Sequence, residues 1–539
     1  MSGVGVKGSD VYSTTGDPRL DLNMRLVRGA AVEDLQAGLD AVLAAGHMTD
    51  AFVMTVHARN VRGGKGERDV ASALFERLWR ARPEEARRVL ALWPEYGSWR
   101  DLFEMACESA APASFREAVL DLAVAQLQRD AATPSGVGIS LCAKWAPRER
   151  SGAVDKCGPL LRPLAARLFP ASTAQLRDYR QLVAGLNRRL ETMETHMCAG
   201  EWAEIRPDRV PGRAGKLYGR ALLNLVSTKG PTDREGLRHP ESADRMACRE
   251  RFQAHFAAAA AGRTKIHGAA TVFPHEIVRK AWNLPKEAEE RTQISALWRA
   301  TVEAVAAGGG LGRTVMMSDF SGSMQCAGSV RDLPYWVSMA LGILGAQVCS
   351  GPFRGRLMTF DSTPTWHSLP SDDLFACMET IRDSGVGQGT STNFEAAMQL
   401  VLRTLREGGV PAGQEPTCLL VLTDMGWDQA AERSGRAWET HVERLRAEFA
   451  AGGWQMPQIA IWNLAAQYAS DHHARADVPG VAMLSGWSAA QFRILQQEGV
   501  RELTPLEVLR VELDDPRYDP VRAAVAAPLA GDDAWTPCN

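Results

Sequence analysis

Three separate segments of the chain carry oxygen-bearing side chains where apolar runs end or a helix begins. They are Asp319, Ser321 and Ser323 in VMMSDFSGSM, Thr390 and Thr392 in GQGTSTNFEAAM, and Asp424 in LLVLTDM. Carboxylates and hydroxyls are hard oxygen donors, which Mg²⁺ and Mn²⁺ prefer as ligands in proteins. The three segments therefore predict one divalent-cation site, if the fold brings them together.

The residue types of the first segment also occur in other kinds of site. Asp319 could cap a helix while the two serines satisfy a turn, as these residue types often do. A phosphatase of the Asp-x-Asp type needs a carboxylate at position 321, where this chain has serine. A hydrolase elbow needs Gly-x-Ser-x-Gly, which does not occur around Ser323. The cation site and the local cap remain as the two interpretations.

The elements around these segments indicate how they could meet. After the glycine-rich AVAAGGGLGR at 304–313, short apolar runs alternate with amphipathic or apolar helices. The predicted strands are RTVMMSDF, GRLMTFDS, TCLLVLTDM, PQIAIWNLA and GVAMLSG. Alternation of this kind favours a doubly wound, mainly parallel sheet, in which ligands bind beyond the carboxyl ends of the strands. All three segments should then lie at that edge.

The first part of the chain has a different pattern. From about residue 30 to 300, apolar residues recur at spacings of three and four, and short Pro or Gly turns separate the runs. Successive helices of this length are typical of stacked helical-hairpin repeats, which can curve into a ring. We therefore predict an α plus α/β multidomain protein, with a helical repeat domain at 1–305, an α/β domain at 310–515 and a C-terminal tail at 516–539.

Composition favours a cytoplasmic protein. No signal peptide is evident, and the apolar run YWVSMALGILGAQVC is shorter than the roughly 20 residues of a membrane helix. The ten cysteines include no Cys-x-x-Cys pair, which favours reduced thiols in the cytosol. Residues 1–300 carry 44 Lys and Arg against 36 Asp and Glu, a net charge of +8, whereas the remainder has a net charge of −11. Two modules with different partners are expected.

The basic half contains candidate nucleic-acid contacts. NVRGGKGERDV at 60–70 is not a Walker A loop, but its glycines and cations open a helix that could receive a phosphate, or they could form a plain hairpin turn. Further cations lie near Tyr96, Trp99, Trp145, Tyr179 and Trp202, and mixed cationic and aromatic surfaces suit RNA. The predicted RNA-binding residues are Arg62, Lys65, Arg68, Lys144, Arg148, Arg180, Arg188, Arg189, Arg213 and Lys216.

Blocks such as RNVRGGKGERD, PEYGSWRDLF, CAKWAPRER, DFSGSM, LTDMGWDQA and LSGWS extend over nearly the whole chain. Together they resemble an uncharacterised family that joins a helical N-terminal region to a von Willebrand factor A domain. Its layout is similar to the TROVE proteins, the Ro autoantigen group, in which a HEAT-like helical ring and a von Willebrand A domain bind small structured RNAs and single-stranded RNA ends. The resemblance implies a metal-ion-dependent adhesion site with Ser321 and Ser323 as direct ligands, Thr392 direct or through water, and Asp319 and Asp424 mainly through water.

These features give two expectations for function. The first is a non-catalytic RNA-binding scaffold, a ribonucleoprotein component with a Mg²⁺-binding (or Mn²⁺-binding) von Willebrand A domain for partner contacts. The alternative is a metal-dependent protein-interaction module without RNA, which recruits an ATPase or another partner with an acidic ligand. An enzyme such as a metal-dependent nuclease is not expected, because the motif contains no evident base or nucleophile. No membrane partner is expected either.

Overall fold

The first half of the protein is helical. The computed structural model describes residues 2–4, 10–134, 137–149, 157–226, 236–325, 333–370, 372–384, 393–427, 438–497 and 502–528. Two short antiparallel strands come first, β1 (Ser2–Val4) and β2 (Asp10–Tyr12). The helices that follow are α1 (Pro18–Arg25), α2 (Val32–Ala44), α3 (Met48–Arg59), α4 (Arg68–Ala81), α5 (Pro83–Leu90), α6 (Trp93–Tyr96), α7 (Trp99–Cys107), α8 (Ala113–Ala132), α9 (Cys142–Trp145), α10 (Gly158–Leu168), α11 (Gln175–Leu190), α12 (Met193–Ala199), α13 (Gly212–Leu222), α14 (Ala243–Ala260), α15 (Pro274–Trp282) and α16 (Glu290–Ala306). We call residues 10–306 the helical half.

The second half is built on a six-stranded sheet. Its strands are β3 (Thr314–Asp319), β4 (Arg356–Phe360), β5 (Trp366–Ser368), β6 (Cys418–Thr423), β7 (Gln458–Asn463) and β8 (Val481–Ser485). Its helices are α17 (Pro334–Val348), α18 (Leu374–Asp383), α19 (Phe394–Glu407), α20 (Trp438–Ala451), α21 (Phe492–Leu495), α22 (Pro505–Leu513) and α23 (Asp519–Ala526). The strand order is β5-β4-β3-β6-β7-β8, and every neighbouring pair is parallel except β4 and β5. The protein is thus mixed α/β, as the sequence predicted.

The sheet divides the apolar core in two. Val315 and Met317 of β3 face one side, together with Val401 of α19 and apolar residues of α1 to α11. Met316 faces the other side, together with Leu341 of α17 and apolar residues of α12 to α16. β3, β6, β7 and β8 are buried along their whole length, which explains their continuous apolar sequences. The helical half therefore shares its core with both faces of the sheet.

Buried polar contacts also join the helical half to the sheet. The ammonium of Lys65 donates to the carbonyl and to the hydroxyl of Ser485 at the end of β8, at 2.8 and 2.7 Å. The amide of Asn463, at the end of β7, donates to the carbonyl of Met24 at 2.8 Å. Consequently the helical half covers the carboxyl ends of β7 and β8.

The chain after residue 515, which we predicted as a tail, is folded where the structure describes it. α23 packs on α3 and α5, and Arg88 donates to the carbonyl of Ala524 at 2.6 Å. Tyr518 is fully buried, with its hydroxyl 2.8 Å from Nδ1 of His57. Residues 529–539 lie outside the described ranges.

No helix among the described residues has the length and apolar content to cross a membrane.

Candidate metal centre

The strand order reverses between β3 and β6, which is where open α/β sheets bind ligands beyond the carboxyl ends of their strands. β3 and β6 are parallel neighbours, with Ser318 opposite Leu422. Asp319 ends β3, and Asp424 directly follows β6. Both side chains are fully buried. The topology therefore brings these two predicted residues to one edge of the sheet.

The two serines of DFSGSM turn back toward Asp319. A short 3-10 turn covers Gly322–Gln325, and one carboxylate oxygen of Asp319 accepts the amide hydrogen of Ser321 at 2.8 Å. The hydroxyl oxygens of Ser321 and Ser323 lie 3.1 Å apart. Adjacent ligands of an octahedral Mg²⁺ at about 2.1 Å are separated by about 3 Å, so this spacing fits two ligands of one cation.

Thr423 connects the two carboxylate-bearing loops. Its hydroxyl donates to the second carboxylate oxygen of Asp319 at 3.3 Å and accepts from the amide of Met425 at 3.2 Å and from Nε1 of Trp427 at 3.1 Å. The carboxylate of Asp424 accepts the amide hydrogen of Gly426 at 2.9 Å. In each aspartate, one carboxylate oxygen thus accepts a hydrogen bond from a backbone amide of the same loop, and this bond fixes the orientation of the side chain.

The third predicted segment falls partly outside the described residues. Thr390 and Thr392 are among those not described. The backbone amide of the next residue, Asn393, donates to the carbonyl of Asp361 at 3.2 Å. The side-chain oxygen of Asn393 caps α19 by accepting from the backbone amide of Ala396 at 3.0 Å. Asp361 directly follows β4, so the described start of this segment lies at the same edge as Asp319.

Sequence reasoning missed several residues of this edge. Asp361 follows β4 in LMTFD much as Asp319 ends β3 and Asp424 follows β6, and this repeated strand–aspartate pattern could have revealed it. Burial raises the pKa of Asp361. Trp427 and His473 gave no signal, because a single ring in a loop is far more often a packing residue.

The chemistry of this edge depends on hydroxyls as well as carboxylates. Among the described residues, no group of three or more His, Cys, Asp and Glu side chains is placed to hold a metal ion. A site here would therefore use serine and threonine oxygens with flanking aspartates, a set that suits Mg²⁺ or Mn²⁺ rather than zinc.

Comparison with known proteins gives two findings. Residues 313–521 match a domain of unknown function, DUF7788. That span begins one residue before β3 and ends within α23, so it contains the whole sheet and all of the predicted metal ligands. The chain is also 26% identical over 532 residues to "Uncharacterized protein L728" of Acanthamoeba polyphaga mimivirus, an alignment that covers 95% of this chain and 87% of the viral protein.

The ten cations predicted to bind RNA occupy varied environments. Five form ion pairs: Arg68 with Glu104, Lys144 with Glu194, Arg180 with Glu149, and both Arg213 and Lys216 with Glu276. Three donate to backbone carbonyls: Arg62 to Glu95, Arg148 to Ala143, and Arg189 to Asp130 and Thr133. Arg188 is exposed on α11, and Lys65 is buried. Most of these side chains therefore already have intramolecular partners.

The glycines around Lys65 serve close packing. A Cβ on Gly64 would lie 2.1 Å from the backbone oxygen of His57, and Gly66 has the left-handed φ of +70°. The buried Lys65 points into the contact with Ser485 instead of toward solvent. The segment NVRGGKGERDV therefore forms a turn as one interpretation expected, but Lys65 in it is packed against β8 and does not belong to a solvated face.

Proposed function

We propose that this protein is a non-enzymatic binding protein whose α/β half is a von Willebrand factor A domain. Asp319, Ser321, Ser323, Thr392 and Asp424 would hold Mg²⁺ or Mn²⁺ at the point where the strand order reverses. The observation that carries the proposal is the pair of serine hydroxyls 3.1 Å apart beside the carboxylate of Asp319. The doubly wound strand order supports the domain assignment.

The bound cation would supply a positive point charge with a coordination position left open for a partner. Ser321 and Ser323 are neutral ligands, and Asp319 and Asp424 each have an oxygen engaged with a backbone amide. With Ser321 and Ser323 as direct ligands and the two aspartates acting mainly through water, these direct ligands carry no charge. A carboxylate from a protein partner is an anionic, hard oxygen ligand that would fill the open position.

The described contacts of His473 favour a structural role for this residue. The histidine at this edge, His473, places Nε2 2.9 Å from the carbonyl of Met425 and stacks on Trp427. His473 is buried and its Nε2 proton goes to that carbonyl, so its described contacts fit a structural role. We propose binding without catalysis because the DFSGSM motif contains no evident base or nucleophile.

The proposal predicts a cation that still exchanges water. Mn²⁺ bound to the full-length protein should enhance water-proton relaxation, and a short peptide with one aspartate should reduce that enhancement by displacing water. The same peptide with asparagine in place of aspartate should have no effect. Mn²⁺ binding without a response to either peptide would contradict an open position that takes carboxylates.

RNA binding through the helical half is a second candidate, favoured by one surface feature. Trp145 has 36% of its surface exposed, and the charged groups of Arg100 and Lys144 lie 5.5 and 5.7 Å from its ring centroid. An exposed ring beside cations can stack on an unpaired base while the cations approach phosphates. The exposed Arg180 and Arg188 on α11 would extend this surface. We propose small structured or single-stranded RNA as its ligand, in the manner of TROVE proteins.

This candidate predicts a defined salt dependence. Replacing Arg180 and Arg188 with alanine should flatten the slope of log affinity against log salt for single-stranded RNA by about 1.4, because each phosphate contact contributes about 0.7. Trp145→Ala should weaken binding at every salt concentration by about 1–3 kcal/mol. Arg299→Ala, which replaces an exposed arginine of α16, is the control. RNA affinity no greater than that of a neutral control protein would eliminate this candidate.

A further inference from the structure

Three rings stack beside the loop that carries Asp424. Phe394 is the first residue of α19, Trp427 follows β6, and His473 lies in the loop between β7 and β8. The Phe394 and Trp427 centroids are 5.3 Å apart with an interplanar angle of 8°, and those of Trp427 and His473 are 3.9 Å apart at 16°. One stack thus clamps three loops that converge on the candidate metal centre.

The His473 ring of the stack also holds the backbone beside Asp424. His473 Nε2 lies 2.9 Å from the carbonyl of Met425, and since a carbonyl can only accept, Nε2 carries the proton. Met425 has a φ of +73°, a left-handed conformation that is unfavourable for a residue with a side chain. The bond from His473 therefore stabilises the turn that directs Asp424 toward the edge.

The second link runs from Trp427 to Asp319. A threonine hydroxyl has one proton and two lone pairs. In Thr423 the proton goes to Asp319, while the indole of Trp427 and the amide of Met425 supply the two accepted bonds. All three bonding positions are filled, so the hydroxyl has one orientation, and it points its proton at Asp319.

We propose that Trp427, His473 and Thr423 are positioning residues of the cation site, which hold Asp319 and Asp424 in the geometry that the cation needs. This inference rests on the proposed function. None of the three would touch the cation itself. Residues that orient metal-binding groups typically contribute 10–100-fold to metal affinity, and that range sets the expected effect.

The test compares variants that each remove one bond. Trp427→Phe keeps the ring stack but loses the donor to Thr423. Trp366→Phe is the matched control, because Trp366 donates to the hydroxyl of Thr404 at 2.9 Å elsewhere in the same half. Mn²⁺ dissociation constants are measured by electron paramagnetic resonance on the full chain. Trp427→Phe should bind about 10-fold more weakly or worse, and Trp366→Phe should bind as wild type does.

Thr423 provides a second comparison that does not depend on the stack. Thr423→Val removes the hydroxyl and should weaken Mn²⁺ binding about 10-fold, while Thr423→Ser restores the hydroxyl and should rescue it. If Trp427→Phe does not fold, this pair decides. Folded Trp427→Phe or Thr423→Val protein with wild-type affinity would overturn the positioning role alone. Wild-type protein that binds no Mn²⁺ would overturn the proposed function, and the inference with it.

Discussion

Asp319→Asn is expected to weaken Mn²⁺ binding by about 100-fold, the upper end of the effect of groups that act on a metal through water or through other ligands. The carboxylate of Asp319 meets the amide of Ser321 on one side and the hydroxyl of Thr423 on the other. Asparagine keeps the shape and one acceptor but removes the negative charge. The loss should therefore appear in the metal affinity far more than in the fold.

The measurement pairs Mn²⁺ titration with a thermal unfolding scan in the presence of chelator, which reports on stability without the metal. Asp477→Asn is the control, since Asp477 is an exposed carboxylate in the loop between β7 and β8. Wild-type Mn²⁺ affinity in Asp319→Asn would show that the site does not use this carboxylate. The site proposed here would then be wrong.

Lys65→Met is expected to lower the free energy of unfolding by about 3 kcal/mol. The buried ammonium donates to two oxygens of Ser485. It also acts on Glu512, which is fully buried: burial alone would raise the pKa of Glu512, but the charge of Lys65 and the contact with His57 hold it below its ordinary value. Methionine fills a similar volume but leaves that carboxylate without its cation.

The same residue predicts a pH dependence. Burial lowers the pKa of Lys65 from 10.5 to about 8. Between these values the unfolded chain binds more protons at this position than the folded chain, so folding becomes more favourable as pH rises through the window. The stability difference between wild type and Lys65→Met should therefore grow from pH 8 to pH 10.5.

Arg62→Met is the matched control for Lys65→Met. Arg62 lies in the same glycine-rich loop, but its side chain is exposed and donates to the carbonyl of Glu95. Its replacement should change the free energy of unfolding by no more than about 0.5 kcal/mol, as measured by denaturant titration. If Lys65→Met instead unfolds at the wild-type denaturant concentration and loses RNA affinity, the loop is an RNA site.

Prediction from sequence succeeded where the signal is local. All five predicted strands are present, because a strand buried on both faces is a continuous apolar run. The edge strand β5 was missed: Trp366–Ser368 is only three residues long and pairs on one side. The helix α23 was not predicted either, since eight residues span little more than two turns and give no clear periodic pattern.

For the candidate site, too, the sequence determined the local features and the tertiary structure decided the distant contacts. The sequence by itself determined that Asp319 and Asp424 each lie at the end of a buried strand, because both the strand and its polar end are encoded by adjacent residues. Only the tertiary structure decided that Trp427 and His473 support them and that Lys65 is buried. Lys65 binds Ser485, which lies 420 residues away in the sequence. A lysine among glycines predicts an exposed loop as long as that partner is not known. Short-range periodicity specifies elements, whereas burial of a polar side chain depends on which distant element packs against it.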